Sequence, residues 1–124
     1  MYKRIVHNGM PCYGKHVLLH LVNCNERILS IEEVKTFIGA LVEDIDMQAF
    51  GECHCYRFGE GEEVGLSAVQ LIYTSSITLH TNDLHREGYL DVFSCKDFSA
   101  EQVVESVQKR FAPERIDHQT IIRE

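Results

Sequence analysis

The chain lacks any apolar run that approaches the roughly 20 residues needed to cross a membrane. Its first residues, Met1-Tyr2-Lys3-Arg4-Ile5-Val6-His7, also lack the apolar core of a secretory signal peptide. Both absences argue against a membrane protein and against secretion. We therefore expect the protein to work in the cytoplasm, without a membrane partner.

Basic side chains are in the minority. The chain has 12 Lys and Arg side chains against 19 Asp and Glu side chains, which gives a net charge of −7. A nucleic-acid surface needs clustered Lys and Arg, so the composition argues against a nucleic-acid partner. The acidic balance is compatible with a cationic substrate, and it is equally compatible with an ordinary globular surface.

Paired cysteine motifs are also missing. The five cysteines are an odd number and no C-x-x-C pair occurs among them. In a cytosolic protein this pattern is typical of reduced thiols and not of a disulfide framework. No repeat, low-complexity segment or linker interrupts the 124 residues, so we predict one domain over residues 1–124.

Two helices and several strands can be predicted from local patterns. The runs Ser30-Ile31-Glu32-Glu33 and Ser99-Ala100-Glu101-Gln102 are capping boxes, in which the serine and the fourth residue satisfy each other's backbone N–H. Strands are predicted at 15–23, 50–58, 65–74, 76–82, 88–95 and 114–122, with a hairpin loop at 59–63 and irregular structure at 1–14. This order predicts an α+β two-layer sandwich, with two helices on one face of a largely antiparallel sheet.

Four side chains supply a possible chemistry, and they are Ser67, Ser75, His80 and Cys95. A serine hydroxyl near a base can attack its own backbone, and this is how some proteins make a cofactor from their own chain. On the strand 76–82, His80 shares a face with Thr78 and points away from the apolar side. Taken alone, each of the four residues also has a purely structural explanation as a turn, strand or core residue.

Other chemistries fit the sequence less well. On a strand, the thiols of Cys53-His54-Cys55 face one way and the imidazole the other, while His16 and His20 lie roughly 13 Å apart. We therefore predict no metal site. Ser75 lacks a G-x-S-x-G elbow, and Cys95 lacks a cysteine-protease context. The loop Gly59-Glu60-Gly61 is surrounded by carboxylates that repel phosphate.

The run Ala68–Cys95 resembles the prokaryotic S-adenosylmethionine decarboxylases. The family motif reads roughly V-S-G-V-V-x-I-x-E-S-H-L-[ST]-I-H-T-W-P-E, followed by D-[VL]-[FY]-[ST]-C. The matching segments here are Leu66-Ser67-Ala68-Val69-Gln70-Leu71-Ile72-Tyr73-Thr74-Ser75-Ser76-Ile77-Thr78-Leu79-His80-Thr81 and Asp91-Val92-Phe93-Ser94-Cys95. Gly14-Lys15-His16-Val17-Leu18-Leu19 and Phe111-Ala112-Pro113 also resemble the family's G-K-H-L-L and F-x-P.

The resemblance implies a role for each of the four residues. A proenzyme of this family cuts itself before a serine that becomes a pyruvoyl group, which binds a substrate amine as a Schiff base and withdraws electrons. Ser75 matches that serine, so cleavage is expected between Thr74 and Ser75. Ser67 and His80 match the pair that assists cleavage, and Cys95 matches the acid that reprotonates the product carbon. The family also implies polyamine biosynthesis and a homodimer, and a small two-layer domain leaves a sheet face to cover.

The chain departs from the family where the family binds its nucleoside. Thr74 replaces the glutamate that resembles a ribose ligand, Ser76 replaces a histidine, and Asn82-Asp83-Leu84 replaces W-P-E in a chain without tryptophan. Asp83 is one candidate substitute for ribose binding, and Phe58 or Tyr56 for stacking on adenine. The alternatives are decarboxylation of another amino acid, such as ornithine or arginine, and an unprocessed homologue without catalytic activity.

Overall fold

The computed structural model describes residues 4–124 as ten regular elements around one sheet. The strands and helices are β1 (Ile5–His7), β2 (Met10–Cys12), β3 (Gly14–Val22), α1 (Ile31–Asp44), β4 (Ala49–Phe58), β5 (Gly65–Ile72), β6 (Ser75–Asn82), β7 (Glu87–Ser94), α2 (Ala100–Phe111) and β8 (Arg115–Arg123). Short 3-10 turns occupy Glu26–Leu29 and Gly61–Glu63. Across residues 4–124, no helix combines the length and the apolar character that a membrane crossing requires.

The main sheet has six strands in the order β4-β5-β6-β7-β3-β8, and every neighbouring pair is antiparallel. The helices α1 and α2 pack on one face, with Phe37 against Phe111 at a ring separation of 4.8 Å. The predicted α+β sandwich is therefore confirmed. The predicted hairpin at 59–63 is also present, because β4 and β5 pair directly on either side of it.

The prediction of irregular structure over residues 1–14 is wrong for most of that segment. Strands β1 and β2 form a separate hairpin, with Ile5 opposite Cys12. Asn8 and Gly9 form its turn with φ angles of 53° and 78°, and two central residues with positive φ suit a tight hairpin. Residues 1–3 lie outside the described part of the chain.

Both predicted helix starts are confirmed, although the capping differs in detail. The hydroxyl of Ser30 accepts the N–H of Glu33 at 3.2 Å, and the hydroxyl of Ser99 accepts the N–H of Gln102 at 3.2 Å. The Glu33 carboxylate does not accept the backbone N–H of Ser30. It accepts a hydrogen bond from Arg110 at 3.1 Å and so links α1 to α2. The capping box at Ser30 is therefore only half formed.

Strand alternation divides the sheet into a helix-covered face and a face that the helices leave open. On β6, Ile77, Leu79 and Thr81 are buried beneath the helices, whereas His80 is exposed. We call the uncovered side the open face. Its exposed apolar and aromatic side chains on neighbouring strands are Tyr56, Val69, Leu71, Tyr89 and Ile121. An apolar surface of this kind is typical of a face that another molecule covers.

Candidate active site

Ser75 lies at the start of β6, directly after the two-residue turn that joins β5 to β6. Its Oγ accepts the backbone N–H of Cys95 at 3.3 Å. The Cys95 Sγ lies 2.7 Å from Oγ1 of Thr74 and 3.7 Å from the carbonyl oxygen of Thr74. The structure thus brings Thr74, Ser75 and Cys95 together, and we call them the turn cluster. The tight turn that the sequence suggested before Ser75 is present.

The backbone of Thr74 is strained. Its φ angle is +58°, in the left-handed region that a β-branched residue rarely adopts. A residue held in such a conformation costs on the order of 1–3 kcal/mol and persists only where the surrounding structure imposes it. Here the Tyr73 N–H donates to the Gln48 carbonyl at 3.0 Å, and the Thr74 hydroxyl donates to the Tyr73 carbonyl at 2.9 Å. The strain therefore lies on the residue before Ser75.

Ser67 and His80 form a second group on the open face. They are directly opposite each other on β5 and β6, and Ser67 Oγ lies 2.8 Å from His80 Nδ1. The two-residue turn at the end of the hairpin fixes this register, because it pairs Ile72 with Ser75 and so sets every pair above it. We call these two residues the Ser–His pair.

The turn cluster and the Ser–His pair do not meet within one chain. Ser75 and His80 are five residues apart on β6, which at about 3.3 Å per residue separates them by about 17 Å. An odd spacing also sends the two side chains to opposite faces of the strand. The four residues that the sequence grouped together are therefore two separate groups in the folded chain.

Phe58 and Asp83 lie at the end of the sheet that carries the Ser–His pair, and away from Ser75. Phe58 is exposed and stands opposite Gly65 at the end of β4. Asp83 follows β6 and accepts a hydrogen bond from Arg57 Nε at 2.9 Å, while its Oδ1 is buried and has no hydrogen-bond partner. Neither residue is near the turn cluster of its own chain.

A third polar group on the open face was not predicted from the sequence. Glu87 Oε2 lies 2.6 Å from His20 Nε2 and accepts the Tyr89 hydroxyl at 3.2 Å, while the rings of His20 and Tyr89 stack at 4.7 Å. The hydrogen bond from His20 lowers the pKa of Glu87, and desolvation raises the pKa of Tyr89. Tyr89 is directly opposite His80, so the group borders the Ser–His pair. The sequence pattern that points to this group is strand alternation alone.

The side chains with metal-ligand chemistry are dispersed. Cys55 is buried toward the helices while His54 is exposed on the same strand, and burial raises the pKa of both Cys53 and Cys55. His16 and His20 face different carboxylates, Asp91 at 3.9 Å and Glu87 at 2.6 Å. Within residues 4–124, no three ligand side chains come together around one point.

The fold and the turn cluster define a class of protein: a two-layer α+β domain with a serine held at a strained hairpin turn. Comparison with known families agrees with this description. The sequence profile described as S-adenosylmethionine decarboxylase matches residues 15–124. The chain therefore belongs to the S-adenosylmethionine decarboxylase family, a family of pyruvoyl-dependent carboxy-lyases.

Individual relatives carry two different activity names. The chain is 30% identical over 105 residues to the S-adenosylmethionine decarboxylase proenzyme of Thermodesulfovibrio yellowstonii. The matched region covers 80% of this chain and 75% of that one. It is 29% identical over 89 residues to the arginine decarboxylase proenzyme of Pyrobaculum arsenaticum, covering 72% of this chain and 67% of that one. The crystal structure of the adenosylmethionine decarboxylase from Aquifex aeolicus is 25% identical, with a TM-score of 0.77 over 90% of this chain and 91% of that one.

Proposed function

We propose that this protein is a self-processing decarboxylase that cuts itself between Thr74 and Ser75 and converts Ser75 into a pyruvoyl group. One observation carries the proposal. The Ser75 hydroxyl is fixed by the Cys95 N–H immediately after a strained, left-handed Thr74. Strained backbone conformations concentrate at functional sites, and here the strained residue is the one that directly precedes the peptide bond that the family resemblance marks for cleavage.

The turn cluster supports the first step of processing. The Ser75 Oγ attacks the Thr74 carbonyl carbon, the hydroxyl proton passes to the Ser75 nitrogen, the peptide C–N bond breaks, and an ester and a free Ser75 amine replace the amide. Negative charge develops on the Thr74 carbonyl oxygen during this attack. The Cys95 Sγ, 3.7 Å from that oxygen, is the nearby donor that can move in as the charge grows.

The second step needs a base that the turn cluster lacks. Removal of the Cα proton of Ser75 breaks the ester, releases Thr74 as a carboxylate and leaves residue 75 as dehydroalanine, which water hydrolyses to the pyruvoyl group with release of ammonia. The His80 imidazole is the proposed base, and its hydrogen bond to Ser67 fixes the orientation of the ring. Since His80 of the same chain is about 17 Å away, we assign this role to His80 of the partner subunit.

A homodimer through the open face completes the site. A two-fold axis that crosses β6 near Thr78 sets the backbone of Ser75 in one chain, which carries the Cα proton to be removed, opposite His80 of the partner subunit and, by symmetry, forms two equal sites. The exposed Val69, Leu71 and Tyr89 on this face provide apolar area for the contact. Phe58 and Asp83 lie at the His80 end, so in this dimer they approach the turn cluster of the other chain and become available to bind substrate.

The residues present fit a pyruvoyl group derived from Ser75. The group supplies a carbonyl that withdraws electrons from the α-carbon of a bound amine. Cys95 is then the acid that delivers a proton to the product carbon. Its backbone N–H contacts Ser75 and its thiol lies at the Thr74 end of the cleaved bond, so it is within reach of the reacting carbon.

Two substrates are proposed, both of which lead into polyamine biosynthesis. S-adenosylmethionine is the first, because the chain belongs to the S-adenosylmethionine decarboxylase family. A basic amino acid such as arginine or ornithine is the second, and a structural observation favours it. Thr74 is uncharged and its hydroxyl already donates to the Tyr73 carbonyl, so position 74 offers no charged acceptor for a ribose, and the Asp83 carboxylate is already paired with Arg57 through Oδ2. The Pyrobaculum relative named as an arginine decarboxylase proenzyme agrees with it.

Intact mass spectrometry of the fresh protein tests the proposal. Fragments of 74 and 50 residues are expected, the second with an N-terminal pyruvoyl group. Ser75→Ala should remain uncut, whereas the matched control Ser76→Ala should be cut like the wild type. A wild-type chain that stays intact over days contradicts self-processing and favours the homologue without catalytic activity.

The substrate is then decided by decarboxylation assays on the cut protein. Release of CO2 from S-adenosylmethionine, arginine and ornithine is measured under the same conditions, with Ser75→Ala as the blank. Turnover of one of them identifies the substrate. A cut protein that acts on none of the three contradicts the proposed decarboxylase activity for these substrates.

A further inference from the structure

Thr74 and Cys95 are in contact at the turn. Cys95 Sγ lies 2.7 Å from Thr74 Oγ1, and the thiol also lies 3.7 Å from the Thr74 carbonyl oxygen. The Thr74 hydroxyl donates to the Tyr73 carbonyl at 2.9 Å, so its oxygen is available as an acceptor for the thiol.

We propose that Thr74 is the positioning residue for the Cys95 thiol. Its hydroxyl oxygen accepts the S–H proton and holds the sulfur beside the Thr74–Ser75 bond. The inference rests on the proposed function, because Cys95 matters only if the bond is cut and a product carbon is protonated. It goes beyond that function by giving the side chain at position 74 a task of its own.

The arrangement persists after cleavage. Thr74 becomes the last residue of the first fragment, where only its own anchors can hold it. The Tyr73 N–H bonded to the Gln48 carbonyl at 3.0 Å is such an anchor, and it joins the end of β5 to the segment before β4. Cys95 itself is buried, so the thiol stays beside Thr74 at the end of the cut bond.

Two substitutions at position 74 separate the hydroxyl from the shape of the side chain. Thr74→Val keeps the β-branch and the strain but removes the acceptor, whereas Thr74→Ser keeps the hydroxyl. Thr36→Val, on the exposed side of α1 and away from Cys95, is the matched control. Each variant is made both in the wild-type background and in a Ser75→Ala background that cannot cut itself.

The first readout is the rate at which iodoacetamide alkylates Cys95, followed by peptide mass mapping in the uncut Ser75→Ala background. Thr74→Val should raise this rate about fivefold, because the thiol loses the hydroxyl that holds it in place, while Thr74→Ser and Thr36→Val should leave it unchanged. Alkylation of Cys53 in the same samples reports any general loosening of the fold.

The second readout is the rate of self-cleavage in the Ser75 background, where Thr74→Val should be slowed about tenfold and Thr74→Ser should approach the wild-type rate. Equal behaviour of Thr74→Val and Thr74→Ser in the alkylation assay overturns the inference. A wild-type chain that never cuts itself overturns the proposed function instead, while the alkylation assay still decides the role of Thr74.

Discussion

Ser75 and His80 lie on the same strand, five residues apart, and their side chains point to opposite faces of the sheet. One chain therefore holds the proposed nucleophile and the proposed base about 17 Å from each other. Ser75 contacts Cys95, and His80 contacts Ser67. In the proposed function these two groups are half-sites that a second copy of the chain joins.

A mixture of two inactive variants should regain cleavage if the site is shared between chains. His80→Ala alone should stall at the ester and stay sensitive to hydroxylamine, and Ser75→Ala alone cannot be cut. When both are expressed together, the His80→Ala chain can use the base of its Ser75→Ala partner. We expect cleavage of the His80→Ala chain only, measured by intact mass.

The control for this experiment is His80→Ala expressed with His80→Ala under a second tag, which should remain stalled. If the mixed sample also fails to cut although mixed dimers are recovered by the two tags, the base acts within its own chain. That result would remove the shared site.

A charged side chain on the open face should leave the single chain folded but should prevent the proposed dimer from forming. Leu71 is about half exposed in the single chain, so Leu71→Asp costs little in folding but places two carboxylates in the proposed interface. We expect sedimentation analysis to show a monomer that no longer cuts itself. Thr36→Asp, on the exposed side of α1, should remain dimeric and active.

The backbone strain at Thr74 should affect both the free energy of unfolding and the rate of self-cleavage. Thr74→Gly and Thr74→Ala both remove the hydroxyl, but only glycine accepts a positive φ without a penalty. In the uncut Ser75→Ala background, the glycine variant should be more stable than the alanine variant by about 1 kcal/mol in urea unfolding. In the Ser75 background it should cut itself more slowly, because less strain is released. Equal stability of the two variants would argue against a strained turn.

The Glu87 carboxylate should make folding stability depend on pH. Its pKa is lowered in the folded state by the hydrogen bond from His20. The folded protein therefore binds fewer protons here than the unfolded chain. The stabilisation is present above the ordinary pKa of 4.5 and is lost as the pH falls through the lowered, folded-state pKa.

Glu87→Gln should lower the unfolding free energy by about 1 kcal/mol at pH 7, and the difference from the wild type should shrink below about pH 4. Thermal unfolding between pH 3 and pH 7 provides the measurement, with the exposed Glu63→Gln as the control. A difference that stays constant over this range would show that the carboxylate charge has no part in it.

Local patterns were sufficient to predict much of the fold. The serines at 30 and 99 start helices because a hydroxyl satisfies free N–H groups there, a purely local effect. The side of β6 that faces the helices follows from alternation, which the sequence displays directly. The hairpin of β1 and β2 was not predicted. Asn8 and Gly9 are typical both of an irregular segment and of a tight hairpin turn, so these residue types alone do not distinguish the two.

The sequence by itself determined the residue types, the strand faces and the family resemblance, since these depend on spacing along one chain. Only the tertiary structure decided that Cys95 joins Ser75 while His80 joins Ser67, and that the two groups lie apart. Which strands pair, and in which register, depends on the faces that are buried and on the lengths of distant turns. The pairing of Ser76 on β6 with Phe93 on β7 is an example. The same burial leaves the open face uncovered, and that face is where the proposed site is completed.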